Sequence, residues 1–132
     1  MLIETSVLVA LVLAEPDAPR LQAVIEGAVH PLVGVHCVIE ASCALQRERG
    51  AAADAELDEL LDLLAIEIVE LPIDAHPFAR RAWSRYGKGV GRPGILNFGD
   101  CLVYGHAKAL GLPVRADVPI FVMTARLVTQ KG

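Results

Sequence analysis

Three acids stand out by the company they keep. Glu4 falls between the apolar pair Leu2-Ile3 and the apolar run Val7 to Leu13. Glu40 is flanked by Ile39 and Ala41, and Asp100 stands at the mouth of the stretch from Leu96 to Pro113, LNFGDCLVYGHAKALGLP. A carboxylate buried without partners costs several kcal/mol, roughly, so each of these acids needs a cation, a donor cluster or solvent. A helix N-terminus would supply part of the compensation for Asp100 through its N–H groups and dipole. Capping the helix and holding a cation are both open readings of that residue. Glu4 and Glu40 likewise read either as solvated or capping acids or as ligands. Brought together, three carboxylates repel unless a cation binds, and hard oxygen donors suit Mg²⁺ or Mn²⁺. A site of that kind would polarise a phosphoryl oxygen and activate a water for in-line attack.

A second group is basic. Arg80, Arg81, Arg85, Lys88 and Arg92 hold five of the twelve Lys and Arg residues, with Trp83 and Tyr86 interleaved and glycines at 87, 89, 91 and 94. Such a loop, expected to be mobile, could guide a phosphodiester backbone through Arg85, Lys88 and Arg92 and stack a base. The other reading is a solvated helix edge whose aromatics belong to the core. His36 precedes Glu40 by four residues and shares its helix face, but no second His stands at ligand spacing. Zinc-type Cys/His patterns, a Walker loop, a GxSxG elbow and a GxGxxG turn are all missing.

The elements that must position these residues follow from the apolar runs. Leu2-Ile3 reads as a short buried strand, followed at once by a helix with Thr5 or Ser6 as its N-cap. Glu15-Pro16-Asp17 breaks that helix and starts a second, to about Gly27. Pro31 to Val35 is a second strand, and His36 to Arg49 a helix ended by Gly50. Ala51 to Ala65 is an acidic amphipathic helix on the stripe Leu57, Leu60, Leu61 and Leu64. Ile66 to Leu71 reads as a third, edge-ward strand, and Asp74 caps a helix to about Tyr86 with Pro77 in its first turn. The Leu96–Pro113 stretch is a helix buried on several sides and stopped at Gly111, and Val114 begins a fourth strand. Alternating strands and helices predict an α/β fold with a mainly parallel sheet, and ligands of such sheets bind at the carboxyl ends of the strands.

At 132 residues the chain is expected to be one domain able to bury a core without disulfides. Its hydrophobic fraction of 54 % predicts a doubly covered sheet or an apolar partner surface, the run Val7 to Leu13 included. The formal net charge of −4 rules out a global basic signature, leaving only a local one. Cys37, Cys43 and Cys101 are odd in number and lack CxxC spacing, as expected of small buried residues in a reducing cytoplasm. Val7 to Ala14 is continuously apolar, but eight residues fall far short of the ~20 needed to span a bilayer, and no basic residue precedes them. A soluble, unprocessed protein is expected.

The stretches IETSVLVALVLAEPDA, VIEASCALQRERG, RRAWSRYGKG and LNFGDCLVYGHAKALGLP, in that order, resemble the PIN-domain toxins of bacterial VapBC toxin–antitoxin pairs. The resemblance runs from Met1 to about Pro113 and implies a single PIN-like domain over 1–132, an α/β/α sandwich with a mainly parallel central sheet. It further implies a dimeric endoribonuclease that cleaves single-stranded or looped RNA with Mg²⁺ or Mn²⁺. Such toxins are silenced by a VapB-type antitoxin. By resemblance Glu4 takes the place of the family's first metal-binding Asp, Glu40 of its Glu and Asp100 of its second Asp, while Ser6 matches a supporting polar residue. Two departures mark this chain. Glu4 carries one methylene more than Asp. The family's GDDFxxTD-like segment survives only as FxxT in Phe121 to Thr124, with Ile120 and Ala125 where acids are expected and Asp117 as the nearby supporting acid. These departures keep a second reading in play, a catalytically weakened PIN-fold protein that dimerises and sequesters an antitoxin.

Overall fold

The strand Leu2–Ile3 (β1) is two residues long, and its stability comes from its side chains: Leu2 is 1 % exposed and Ile3 fully buried. Each such burial contributes about 1.5–3 kcal/mol, which outweighs the few ladder hydrogen bonds so short a strand can make. The computed structural model describes residues 1–92 and 94–112; the expected fourth strand at Val114, Asp117 and the 120–125 segment lie outside them. The described residues fall into two compact units, Met1–Glu70 and those from Leu71 onward.

In the first unit β1 is followed by α1 (Thr5–Val12) and α2 (Ala18–Glu26). Then come the strand β2 (Leu32–Gly34), α3 (Val35–Arg49), α4 (Ala53–Leu63) and the strand β3 (Glu67–Val69). Among the described residues the strands form a parallel sheet of order β1-β2-β3, in which Leu2 and Ile3 pair with Leu32 and Val33, and Leu32 to Gly34 pair with Glu67 to Val69. Helical crossovers between parallel strands explain the apolar runs of the sequence. β3 has Glu67 and Ile68 exposed, as an edge strand does.

The helices follow their patterns with informative exceptions. On α4, Ala53, Leu57 and Leu61 are buried while Asp54, Asp58, Glu59 and Asp62 face solvent, which gives an amphipathic face at i, i+4 spacing. The run of α1 was expected to leave apolar surface for a partner, but Val7, Leu8 and Ala10 are buried and Val9, Leu11 and Val12 half-buried. The exposed large apolar side chains lie elsewhere, among them Val29, Ile39, Leu63, Ile73 and Phe98. Truncating Leu8 to Ala in this core would cost about 2–5 kcal/mol.

The N-cap of α1 is neither Thr5 nor Ser6. β1 ends at Ile3, so the chain turns one residue earlier and Glu4 takes the cap position with extended backbone (φ −102°, ψ 167°). Its carbonyl accepts from the N–H groups of Val7 (3.2 Å) and Leu8 (3.4 Å). No side-chain cap hydrogen bond forms there, because Glu is a poor capping residue.

The second unit is built on α5 (Ala75–Tyr86) and α6 (Phe98–Ala109). Ala75, Ala79 and Ala82 are the buried residues of α5, and they allow close approach of the two helices. At Gly105 a Cβ would lie 2.5 Å from the Ala75 carbonyl oxygen and 2.9 Å from the Ala79 Cβ. Ala82, Leu96 and Cys101 form a small core against which Tyr86 and Tyr104 pack.

Candidate functional site

Parallel β1 and β2 deliver their carboxyl ends side by side, with Ile3 opposite Val33, and each runs straight into a helix. Glu4 is the link between β1 and α1, and Glu40 lies in α3, which starts directly after β2. Hydroxyls of the first turn of α1 brace both acids. The Ser6 hydroxyl donates to Glu4 Oε1 at 2.5 Å, and the Thr5 hydroxyl donates to Glu40 Oε1. Sequence reasoning assigned Thr5 only a capping role; its tie to α3 is the site contact that reading missed. The order Glu4-Thr5-Ser6 signals only the Ser6 contact, since a helix starting right after the acid turns that hydroxyl back on it.

Cys37 reports on the same neighbourhood. Its thiol is pushed up to about 11, chiefly by burial, with a Thr5 hydrogen bond opposing and Glu40 and then Glu4 adding to the rise. Both carboxylates therefore act on one buried, protonated sulfur. Glu4 is half-buried and Glu40 exposed, so the pair opens to solvent. His36 is lowered below its ordinary value by burial, an effect that Glu40 on the same helix face partly offsets. Its neutral form prevails at neutral pH.

In the second unit Asp100 realises its capping reading. Asn97 is the N-cap of α6; its side chain accepts from the Asp100 N–H at 2.8 Å, and Asp100 Oδ2 accepts from the Asn97 N–H at 2.9 Å. This reciprocal capping box satisfies two helix-end donors and places the carboxylate in the favourable field of the dipole. Asp100 is half-buried, and Cys101 beside it is pushed up to about 11 by burial and then by Asp100. Among the described residues no group of three or more His, Cys, Asp and Glu is arranged to hold a metal ion.

Arg85, Lys88 and Arg92 are exposed. Backbone hydrogen bonds hold the segment after α5, from Arg92 N–H to the Arg85 carbonyl (2.8 Å), Lys88 N–H to Leu96 (2.9 Å) and Leu96 N–H to Tyr86 (2.9 Å). Its glycines were read as a source of mobility, yet a Cβ at Gly91 would lie 2.2 Å from the Arg85 carbonyl, so that glycine is needed for close approach. Of the two aromatics, Tyr86 packs on the core, whereas Trp83 lines an apolar groove of about 690 Å³ with Ile73, Phe98 and Leu102.

The chain matches the family model described as PIN domain over residues 1–117. It therefore belongs to the PIN-domain family, with the α/β fold of that family. Curated relatives narrow the group. The chain is 39 % identical over 114 residues to the VapC ribonuclease Mb0640 of Mycobacterium bovis, covering 86 % of each chain. It has the same identity and coverage to ribonuclease VapC30 of Mycobacterium tuberculosis. To ribonuclease VapC of Mycolicibacterium smegmatis it is 35 % identical over 124 residues, 94 % of this chain and 95 % of the relative. Its place within the family is with the VapC proteins.

Proposed function

We propose that the chain is a metal-dependent endoribonuclease toxin of a type II toxin–antitoxin pair, hydrolysing phosphodiester bonds of single-stranded or looped RNA. The observation that carries this reading is a set of two hydroxyl-braced acids, Glu4 at the end of β1 with Ser6 and Glu40 in α3, the helix that follows β2, with Thr5. Relatives of similar length that are named ribonucleases support it. The donor set fits Mg²⁺ or Mn²⁺, because the two carboxylates offer hard oxygens. Mg²⁺ commonly takes one or two carboxylates and completes its shell with water and substrate phosphates. When bound, the ion would polarise a phosphoryl oxygen and lower the pKa of water. Glu4 and Glu40 would hold it, and the Ser6 and Thr5 hydroxyls fix the orientation of these carboxylates as outer-shell donors do. By the family resemblance Asp100 is the third acid and, with Glu4, a metal ligand. Asp117 is the supporting acid near the lost acidic segment, and Arg85, Lys88 and Arg92 of the basic loop take backbone phosphates.

The partners of this reading are a VapB-type antitoxin and a second copy of the chain, in the cytoplasm. Among the described residues no helix is long and apolar enough to cross a membrane. The longer side chain of Glu4 favours the second reading, a weakened nuclease that dimerises and sequesters antitoxin, because shifts of about 1 Å at a reacting centre can cost 10²-fold. One experiment separates the two. The purified chain and Glu4→Asp are incubated with single-stranded and looped RNA, with Mn²⁺ or with EDTA. Cleavage by the native chain that EDTA abolishes supports the nuclease. Cleavage by Glu4→Asp alone supports the sequestering protein, and cleavage unaffected by EDTA overturns metal dependence.

A further inference from the structure

A small pocket of about 130 Å³ opens where α5 and α6 pack together, lined by Phe78, Arg81, Ala82, Arg85, Tyr104 and Lys108. Three of these six residues are cations and none is a carboxylate. Arg81 and Lys108 are instead held against rings, the guanidinium carbon 5.0 Å from the Phe78 centroid and the ammonium nitrogen 6.0 Å from that of Tyr104. Cation–π contacts of this length fix the side chains without neutralising them. Burial and then Tyr86 push the Tyr104 hydroxyl above its ordinary value, while Arg85 and Arg81, which line the same pocket, pull it back. At neutral pH it keeps its proton and can donate.

We infer that Arg81, Arg85, Lys108 and the Tyr104 hydroxyl form a phosphate-binding subsite for RNA. The volume is below the roughly 300–1,000 Å³ of sites that take a whole small molecule, so the pocket suits one group of a larger ligand. Its chemistry, three cations and a hydroxyl donor, selects an oxyanion. A phosphodiester is favoured over an isolated carboxylate because further cations follow in the chain beside the pocket, and the segment folds back so that the Arg92 N–H bonds the Arg85 carbonyl. Arg81 and Arg85 lie one turn apart on α5, and Lys88 and Arg92 continue the run. From Met1 to Glu70 the sequence has thirteen Asp and Glu against three Lys and Arg, whereas 71–112 has two against six. Asp100, Tyr104 and Lys108 also follow at four-residue steps on α6, so the pocket begins about 6–12 Å along the helix from the acid. That is the scale of neighbouring phosphates on one strand. The subsite rests on the ribonuclease reading and adds a contact outside the scissile bond.

The test is binding of a labelled single-stranded RNA to the full chain in EDTA, where nothing is cleaved, as a function of salt. Losing one phosphate contact should make the slope of log K against log salt shallower by about 0.7. Lys108→Gln and Arg81→Gln should each show that change, equally for different RNA sequences. Lys108→Arg should restore the slope, and Arg20→Gln, whose parent pairs with Asp17, should leave it unchanged. Arg81 and Lys108 are exposed, so the variants keep their fold, which circular dichroism checks. If native chain binds and cleaves RNA while Lys108→Gln and Arg81→Gln keep its affinity and slope, the subsite is overturned and the nuclease stands. If the variants lose only binding to an acidic peptide, the ligand is a protein carboxylate and the inference is again overturned. Native chain that neither binds nor cleaves RNA overturns both.

Discussion

The two units of the chain handle charge in opposite ways. Met1–Glu70 is acid-rich, and its two candidate acids, Glu4 after β1 and Glu40 in α3, are braced by side-chain hydroxyls. Residues 71–112 are base-rich, and their one candidate acid is engaged by backbone N–H in a capping box. The first arrangement orients Glu4 and Glu40 through groups that contribute little to helix formation. The second makes Asp100 a stability determinant whatever else it does. The difference also shows why a net charge of −4 says little about nucleic-acid contact here: it sums a strongly acidic part up to Glu70 and a basic sequence after it.

The comparison breaks most sharply at Glu40. Glu40→Gln keeps an acceptor for Thr5 but removes the charge, and Mn²⁺-dependent RNA cleavage should fall by 10²-fold or more, roughly, since loss of an outer-shell partner alone costs about 10–100-fold. Thr5→Val, which removes the brace and the Thr5 contact to Cys37 but keeps the Glu40 charge, should fall within that smaller range. Cleavage by Glu40→Gln at the native rate would remove the acid pair from the mechanism. Next in size is Gly105→Ala, which tests whether the basic unit depends on close helix approach. The added methyl would meet the Ala75 carbonyl at 2.5 Å, so urea unfolding should show a loss of about 1–3 kcal/mol. Unchanged stability would mean that α5 and α6 part without cost. Smaller again is Asn97→Ala, which breaks the capping box and leaves Asp100 in place. It should cost about 1 kcal/mol by the same measurement. If it also lowers cleavage, the box positions Asp100 as well as capping α6.

Much of the first unit was legible because its strands and helices are written as apolar runs between turn residues. β1, β2, α3 with its stop at Gly50, and the stripe of α4 were all anticipated within a residue or two. The cap of α1 was not, because propensity favoured Thr5 and Ser6 while the abrupt end of β1 left the position to Glu4. The Asn97-to-Asp100 box has a sequence signature, an Asn followed three residues later by an acid, but Asp is shorter than the usual Glu or Gln at that place. The bracing of Glu40 by Thr5 spans 35 residues and depends on strand register, which no local pattern encodes. The pocket among Arg81, Arg85 and Lys108 was hidden for a related reason. Lys108 lies 23 residues beyond Arg85 in sequence and reaches the same site only because α6 packs on α5.

The smallest predicted effect sharpens the account of the acidic unit through pH. His36 is held below its ordinary value of about 6.5 by burial. Below that pH the unfolded chain takes up a proton at His36 that the folded chain resists, so ν for the unfolded state exceeds ν for the native state. Stability then rises with pH through this window and is lost on acidification. In EDTA, the urea midpoint of native chain should fall between pH 7.5 and 5.5 by more than that of His36→Gln. Glu40 partly offsets the effect of burial, so Glu40→Gln should lower the His36 value further and steepen the fall. Parallel loss in native chain and both variants would mean that the imidazole is solvated in the folded state. The Glu40 carboxylate would then be oriented by Thr5 without any influence from its helix neighbour.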